Sequence, residues 1–332
     1  MKKSTFISYS ILLLITVFLF VVFDLFVGSV NLFSLDSDSE LFKTILYSIR
    51  LPKALTCVLS GSALALCGLL MQSLFRNPLA GPYVLGVSSG SSLFVAIATM
   101  VLSSINVSGL YFFGKSLITL FSMAGAFLVT IIILLISKKN KSNITILLLG
   151  MMLSQIFGAL QGVIEFMSSS NSLKTFVMWG MGSVSTTTLS DLSFVFPIYL
   201  IGIFSSFLIV KPLNAILLND YYASNLGINV STLRLKVIII TALLVGLITA
   251  FCGPIAFVGI SVPIASRLIF KTSHHLHQIV FCLLLGACVV VFADLICQLL
   301  SSQFILPINT ITTLIGSPVV IYLLFKSKLH IV

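Results

Sequence analysis

Ten apolar runs, nearly free of charge, divide this chain, and most are long enough to cross a bilayer. They cover residues 6–28, 51–74, 88–105, 116–137, 144–167, 190–210, 235–252, 255–270, 279–300 and 308–325. A membrane-spanning helix takes roughly 20 such residues, and ten of them leave room in 332 residues for loops and caps only. Charged residues make up 8% of the chain, against about 25% in a soluble domain. A water-facing surface cannot be built from that, and a disordered chain would be richer in charge and poorer in apolar side chains. The expected fold is all-α and polytopic, one transmembrane domain over residues 1–332 with about ten helices. The first run is too long for the h-region of a signal peptide and no A-x-A cleavage site closes it, so it is expected to remain as a helix.

The net charge of +10 is not a nucleic-acid signal. Its 18 basic residues sit singly or in short groups between apolar runs, where they orient a membrane protein; a phosphate-binding face needs a basic stripe. With the N-terminus placed in the cytoplasm, thirteen basic residues, Lys138, Lys139 and Lys141 among them, fall inside and five fall outside. The positive-inside rule therefore places both termini in the cytoplasm. All six cysteines lie inside apolar runs and no CxxC pair occurs, so each reads as a small hydrophobe.

Little in the chain suggests chemistry of its own. Asp36, Asp38 and Glu40 share one polar loop, while Asp24, Glu165, Asp191 and Asp294 fall near span ends, where snorkelling or capping accounts for them. No carboxylate pair is expected mid-span on facing helices, as an ion-driven carrier would need. His274, His275 and His277 lie beside Lys271 in what reads as a headgroup-level loop, without the ligand spacing of a metal site. No nucleophile–base set and no phosphate-cradling loop occurs. No metal, cofactor or catalytic residue is expected.

Two features break the helical pattern. Glycine and proline interrupt the chain at Asn77-Pro78-Leu79-Ala80-Gly81-Pro82 and at Gly253-Pro254. Non-helical backbone at membrane depth persists only when buried in protein or lining a cavity, so these are expected to be packed turns near a pathway. Small residues recur four apart at Gly61/Ala65, Gly86/Gly90 and Gly158/Gly162, a spacing that lets helices approach closely. The simple reading is packing within the chain; dimer contact is the sharper one. Between Lys211 and Lys236, residues 218–228 read as a short surface helix stopped by Gly227. Its apolar residues either lie on the membrane interface or fit a groove on a partner, and the residues alone leave both open.

Several blocks together resemble the permease family of iron-chelate and vitamin B12 ABC importers. They are Arg50-Leu51-Pro52-Lys53, Gly61 to Gln72, Asn77-Pro78-Leu79-Ala80, Leu85 to Gly90, Trp179-Gly180-Met181-Gly182-Ser183, and Ala223 with Leu226-Gly227-Ile228. The likeness is strongest at Gly253-Pro254 through Gly259, Pro263, Arg267, Gly286-Ala287, Ala293-Asp294, Leu306-Pro307 and Gly316-Ser317-Pro318. The blocks run in family order over residues 50–325.

The resemblance implies a type II importer permease in the bacterial cytoplasmic (inner) membrane, paired with a second copy or a paralogue. Two ATP-binding-cassette ATPase subunits would sit inside, and a substrate-binding protein or lipoprotein would deliver an iron chelate (siderophore or haem) or a corrinoid outside. It assigns coupling to the ATPase to Asp220, Tyr221, Tyr222, Ala223, Leu226, Gly227 and Ile228, with a small residue at 223 allowing close approach. It assigns docking of the delivery protein to Arg50, Lys53 and Gln298, the first two directed outward. The pathway and gate would involve Asn143, Gly150, Gly158, Gly162 and Trp179. Three positions depart from the family pattern: Ile264 for a histidine, Gln298 for an arginine and Gly81 for an aspartate. The competing class is an ion-coupled secondary transporter, which needs a coupling ion and usually internal repeats; a membrane-embedded enzyme comes third.

The topology is testable directly. In a cysteine-free background, single cysteines at Asn140 and Ser37 should label from the cytoplasmic and external sides respectively; external labelling at position 140 overturns the orientation.

Overall fold

The computed structural model describes residues 3–28, 30, 39–104, 111–139, 142–300 and 306–326. Asp36, Ser37, Asp38, Asn140, Lys141 and His330 lie outside the described residues. Among the described residues all regular structure is helical. Seven helices are long and apolar enough to span a membrane, and three shorter apolar helices complete the set of ten. Each falls on one of the ten apolar runs. They are α1 (Lys3–Phe26), α2 (Glu40–Phe75, π-helical over Thr44–Arg50), α3 (Val87–Ser104), α4 (Tyr111–Lys139), α5 (Asn143–Met167), α7 (Leu189–Leu208), α10 (Val230–Cys252), α11 (Val258–Phe270), α12 (His275–Leu300) and α13 (Ile308–Lys326). Three further helices join them: α6 (Ser170–Gly180), α8 (Val210–Ile216) and α9 (Asp220–Asn225).

The bundle is built around α2. Leu64, Leu66, Leu69, Leu70 and Met71 are wholly or almost wholly buried, and the buried positions run round the whole helix rather than along one stripe. A helix that is apolar on every side belongs in a core. Here α10, α11 and α12 close over it. The tightest approach is to α12. A Cβ added to Gly61 would stand 2.2 Å from the Gly286 carbonyl oxygen, and one added to Gly286 would stand 2.3 Å from that of Gly61. Two backbones touch there because neither residue has a side chain. Gly90 packs in the same manner on Gly125 of α4. The intramolecular reading therefore holds for both pairs.

Two sequence readings are corrected. His275 is not in a headgroup-level loop: it opens α12 and is buried. Its Nε2 lies 2.8 Å from Ser73 Oγ, and its Nδ1 lies 3.0 Å from Asn214 Oδ1. Asp24 and Asp294 are not snorkelling or capping; both are buried and face one another across α1 and α12. Asp191, by contrast, closes a capping box with Thr188 at the start of α7.

The glycine contrast gives a stability test. Gly61→Ala must displace backbone and should cost about 1–3 kcal/mol. Gly158, where an added Cβ meets nothing within 4 Å, should accept alanine within about 0.5 kcal/mol. Thermal unfolding of the purified variants in detergent compares the two.

Candidate functional site

The short helix α9 is defined at both ends by local chemistry. Asn219 caps its start, its Oδ1 accepting the Tyr222 N–H at 2.5 Å. At its end the Gly227 N–H donates to Ser224 O and the Ile228 N–H to Ala223 O, with Gly227 at φ +79°. That paired closure needs a left-handed residue, which glycine adopts without strain. Six helical residues would not hold alone; α9 is fastened from below. Arg76, the residue after α2, donates from Nη2 to Asp220 Oδ1 at 2.5 Å and to Ile216 O at 2.9 Å. Ala223 is fully buried against the chain.

That burial corrects the expectation that Ala223 meets a partner. It faces inward, and the outward face belongs to Tyr221, 85% exposed, with Tyr222 and Leu226 beside it. Gly227 is exposed and Ile228 half-buried. Arg76, which sequence reasoning counted only as charge, joins this segment to the central helix. Its position directly before Asn77-Pro78 was the available signal.

The glycine–proline breaks form one packed knot. Pro82–Leu85 makes a single 3₁₀ turn closed by Gly86 at φ +76°. The Tyr83 hydroxyl donates to Ile255 O at 2.9 Å and accepts the Ile255 N–H at 3.0 Å, so one side chain serves both breaks. The Ala256 N–H donates to Asn309 Oδ1. Gly253 lies against the Trp179 carbonyl, Gly259 against Pro82, Gly150 against Val84 and Gly316 against Phe257. The Ser183 N–H donates to Cys252 O at 2.7 Å, which draws in the Trp179–Ser183 block beside Pro254. Asn77 closes its own turn, accepting the Leu79 N–H. Pro263 and Pro318 stand inside α11 and α13, and Pro307 precedes α13. Tyr83 and Asn309 carried no motif and were missed.

From the knot, α5 runs with one face against the chain and the other uncovered. Asn143 at its start donates from Nδ2 to Leu74 O at 2.9 Å, fastening it to the end of α2. Gly150 and Phe157 point inward. Met151, Gln155, Gly158, Ala159 and Gly162 recur at helical spacing on the open side, and nothing lies within 4 Å of a Cβ placed on either glycine. Next to them Met152, Ile156, Leu160 and Val163 form an exposed apolar strip.

At the opposite end of α2, Arg50 and Lys53 turn inward. This corrects their expected outward direction. Arg50 donates to the carbonyls of Leu25 at 2.8 Å and Val30 at 2.5 Å. Lys53 Nζ sits 2.6 Å from Asp294 Oδ2 and 3.9 Å from Asp24 Oδ1. Gln298 donates to both carboxylates, at 2.8 Å to Asp294. The group ties α1 and α12 to α2. Lys53 is the cation that both carboxylates share, and a buried carboxylate needs such a partner.

The chain resembles known proteins along most of its length. The model of the FecCD transport family matches residues 10–326. The chain is 32% identical over 302 residues to the hemin transport system permease of Yersinia pestis, covering 88% of this chain and 86% of that protein. It is 33% identical over 296 residues to the vitamin B12 import system permease of Salmonella paratyphi A, again 88% and 86%. A solved inward-facing structure of an ABC transporter assigned to the metal-chelate type superposes with a TM-score of 0.83 at 29% identity, covering 96% of this chain and 99% of that one. Nine apolar helices around a buried α2 among the described residues, with broken backbone packed at their centre, are thus the fold of an ABC importer permease, and the chain belongs to the FecCD transport family.

Proposed function

We propose that this permease carries an iron chelate (siderophore or haem) or a corrinoid, paired with a second copy or a paralogue across the open face of α5. The named substrates of the two relatives, hemin and vitamin B12, support that class. Both are bulky, which suits a passage bounded by glycine, alanine and methionine rather than by charge. The small residues at Gly158 and Gly162 leave room that no described residue fills within 4 Å. Asn143 stands at the inner end of that face, where a gate would close, and Trp179 at the knot beside it. A delivery protein brings substrate to the Arg50 end. With both side chains buried, docking there would read the surface that Arg50, Lys53 and Gln298 hold in shape rather than those charges themselves.

The observation that carries the reading is α9. ATP is hydrolysed by two separate subunits, and the chain's part is to receive their motion. A segment that transmits force must be stiff, attached and able to grip. Caps at both ends supply stiffness, the Arg76–Asp220 pair supplies attachment, and Tyr221, Tyr222 and Leu226 offer the grip. Asp220, Gly227 and Ile228 hold its form. Attached through Arg76, a push on α9 reaches the end of α2 without an intervening flexible loop, which is how a small contact shift becomes a helix movement. The competing possibility, that the tyrosines merely lie on the membrane interface, requires no partner. With α9 on the cytoplasmic side, both termini are cytoplasmic as well.

Two experiments follow. Anchor residues at the centre of an interface are worth about 2 kcal/mol each or more. The double variant Tyr221→Ala/Leu226→Ala should therefore lose at least about tenfold in ATPase-subunit retention on co-purification, with the permease itself folded and inserted. Undiminished retention and coupled turnover would place α9 on the membrane instead. Separately, Gly158→Leu should block uptake while leaving the assembly intact; full transport in that variant would remove α5 from the pathway.

A further inference from the structure

A cavity of about 320 Å³ opens at the α9 end of the bundle, between the ends of α2 and α11 and the start of α12. Its wall holds three cations, Arg76, Arg267 and Lys271, and no carboxylate. Arg76 is neutralised by Asp220 from outside the wall. Arg267 and Lys271 are not: among the described residues no carboxylate lies within 4 Å of either. Arg267 lies in the last turn of α11 and Lys271 is the left-handed residue that ends it, so both line one wall, where like charges repel unless an anion intervenes.

The remaining polar groups of the wall are largely engaged among themselves. Gln72 donates to Ile260 O at 3.1 Å and accepts from Arg267 Nη2 at 2.7 Å. Gln278 donates to Thr272 O and accepts from Ser266. His275 is held between Ser73 and Asn214. The bond to Gln72 fixes the Arg267 guanidinium and uses one of its five N–H groups. A planar guanidinium held in place, with a mobile ammonium beside it, matches the oxygens of a phosphate group. The volume falls at the lower end of ligand pockets, roughly 300–1,000 Å³. Basic pockets between membrane helices are suited to anionic headgroups.

We propose that this cavity binds a phosphate group, through Arg267 and Lys271, beneath the α9 attachment. Because Arg76 lines the same cavity, a bound phosphate would stiffen the joint between α2 and α9. An anionic phospholipid headgroup and a free phosphate ion present the same oxygens, and the chemistry of the site is the same for both. The alternative is that both cations only offset the carbonyl ends of α2 and α11, which requires no ligand.

The test uses the full-length permease and Lys271→Asn, which removes the charge and keeps a residue that tolerates the left-handed conformation seen there, φ +47°. Arg267→Gln is the second variant, in case one of the two cations dominates. Native mass spectrometry after reconstitution with phosphatidylglycerol or phosphatidylcholine reads the lipid source. Thermal unfolding with inorganic phosphate, against chloride at equal ionic strength, reads the free ion. If the headgroup is the source, the wild type retains phosphatidylglycerol and the variants hold it about tenfold more weakly. If the free ion is the source, phosphate raises the unfolding midpoint of the wild type and not of the variants. Wild type and both variants behaving alike towards both probes would overturn the proposal.

Discussion

Everything in this structure depends on one constraint: backbone N–H and C=O groups at membrane depth must find partners inside the chain. Helices meet it by themselves. The interruptions at residues 77–86 and 253–257 cannot, and the fold meets it there by packing one break against the other. The Tyr83 hydroxyl, giving to and taking from Ile255, satisfies two backbone groups at once. Asn309 satisfies a third from α13. Breaks so interlocked are packed into a single joint.

The ten helices were legible in the sequence because hydropathy reports directly on the surrounding solvent. A helix end was legible where its chemistry is local, as at Gly227, whereas the Asn219 cap came only with the structure. What stayed hidden was every pairing between residues far apart in sequence. Asp24 looks like a span-end carboxylate until α1 is seen against α12, and its partners Lys53 and Gln298 belong to different helices. Arg50 and Lys53 fall three apart at the start of an apolar run, which fits an outward face as well as an inward one; only the position of α1 decides. Ala223 fails for a related reason. A small residue allows close approach, but nothing local says whether the close neighbour is a partner or the chain itself.

The buried charge group and the glycine crossing hold different things. Gly61 and Gly286 fix the distance between α2 and α12 by backbone contact, a term that dispersion and close packing supply. The Asp24–Lys53–Asp294–Gln298 group adds little net energy after desolvation, but its directional contacts join α1 to α2 and α12. The wholly exposed flank of α1 gives a reason for such a device. Its apolar face can slide along a greasy neighbour at small cost, and a buried ion pair cannot.

Burial is distributed unevenly along the bundle, and the unevenness has a direction. The α2 span is enclosed on all sides, whereas most of the α5 span is uncovered. Lipid could cover an apolar strip such as Met152, Ile156, Leu160 and Val163. It has no use for Gln155, Gly158, Ala159 and Gly162, whose backbone and amide gain nothing from hydrocarbon. A helix that shows a greasy strip and a small polar strip side by side is shaped for two neighbours. One strip suits protein or lipid packing, and the other suits a space through which something larger than a side chain can pass.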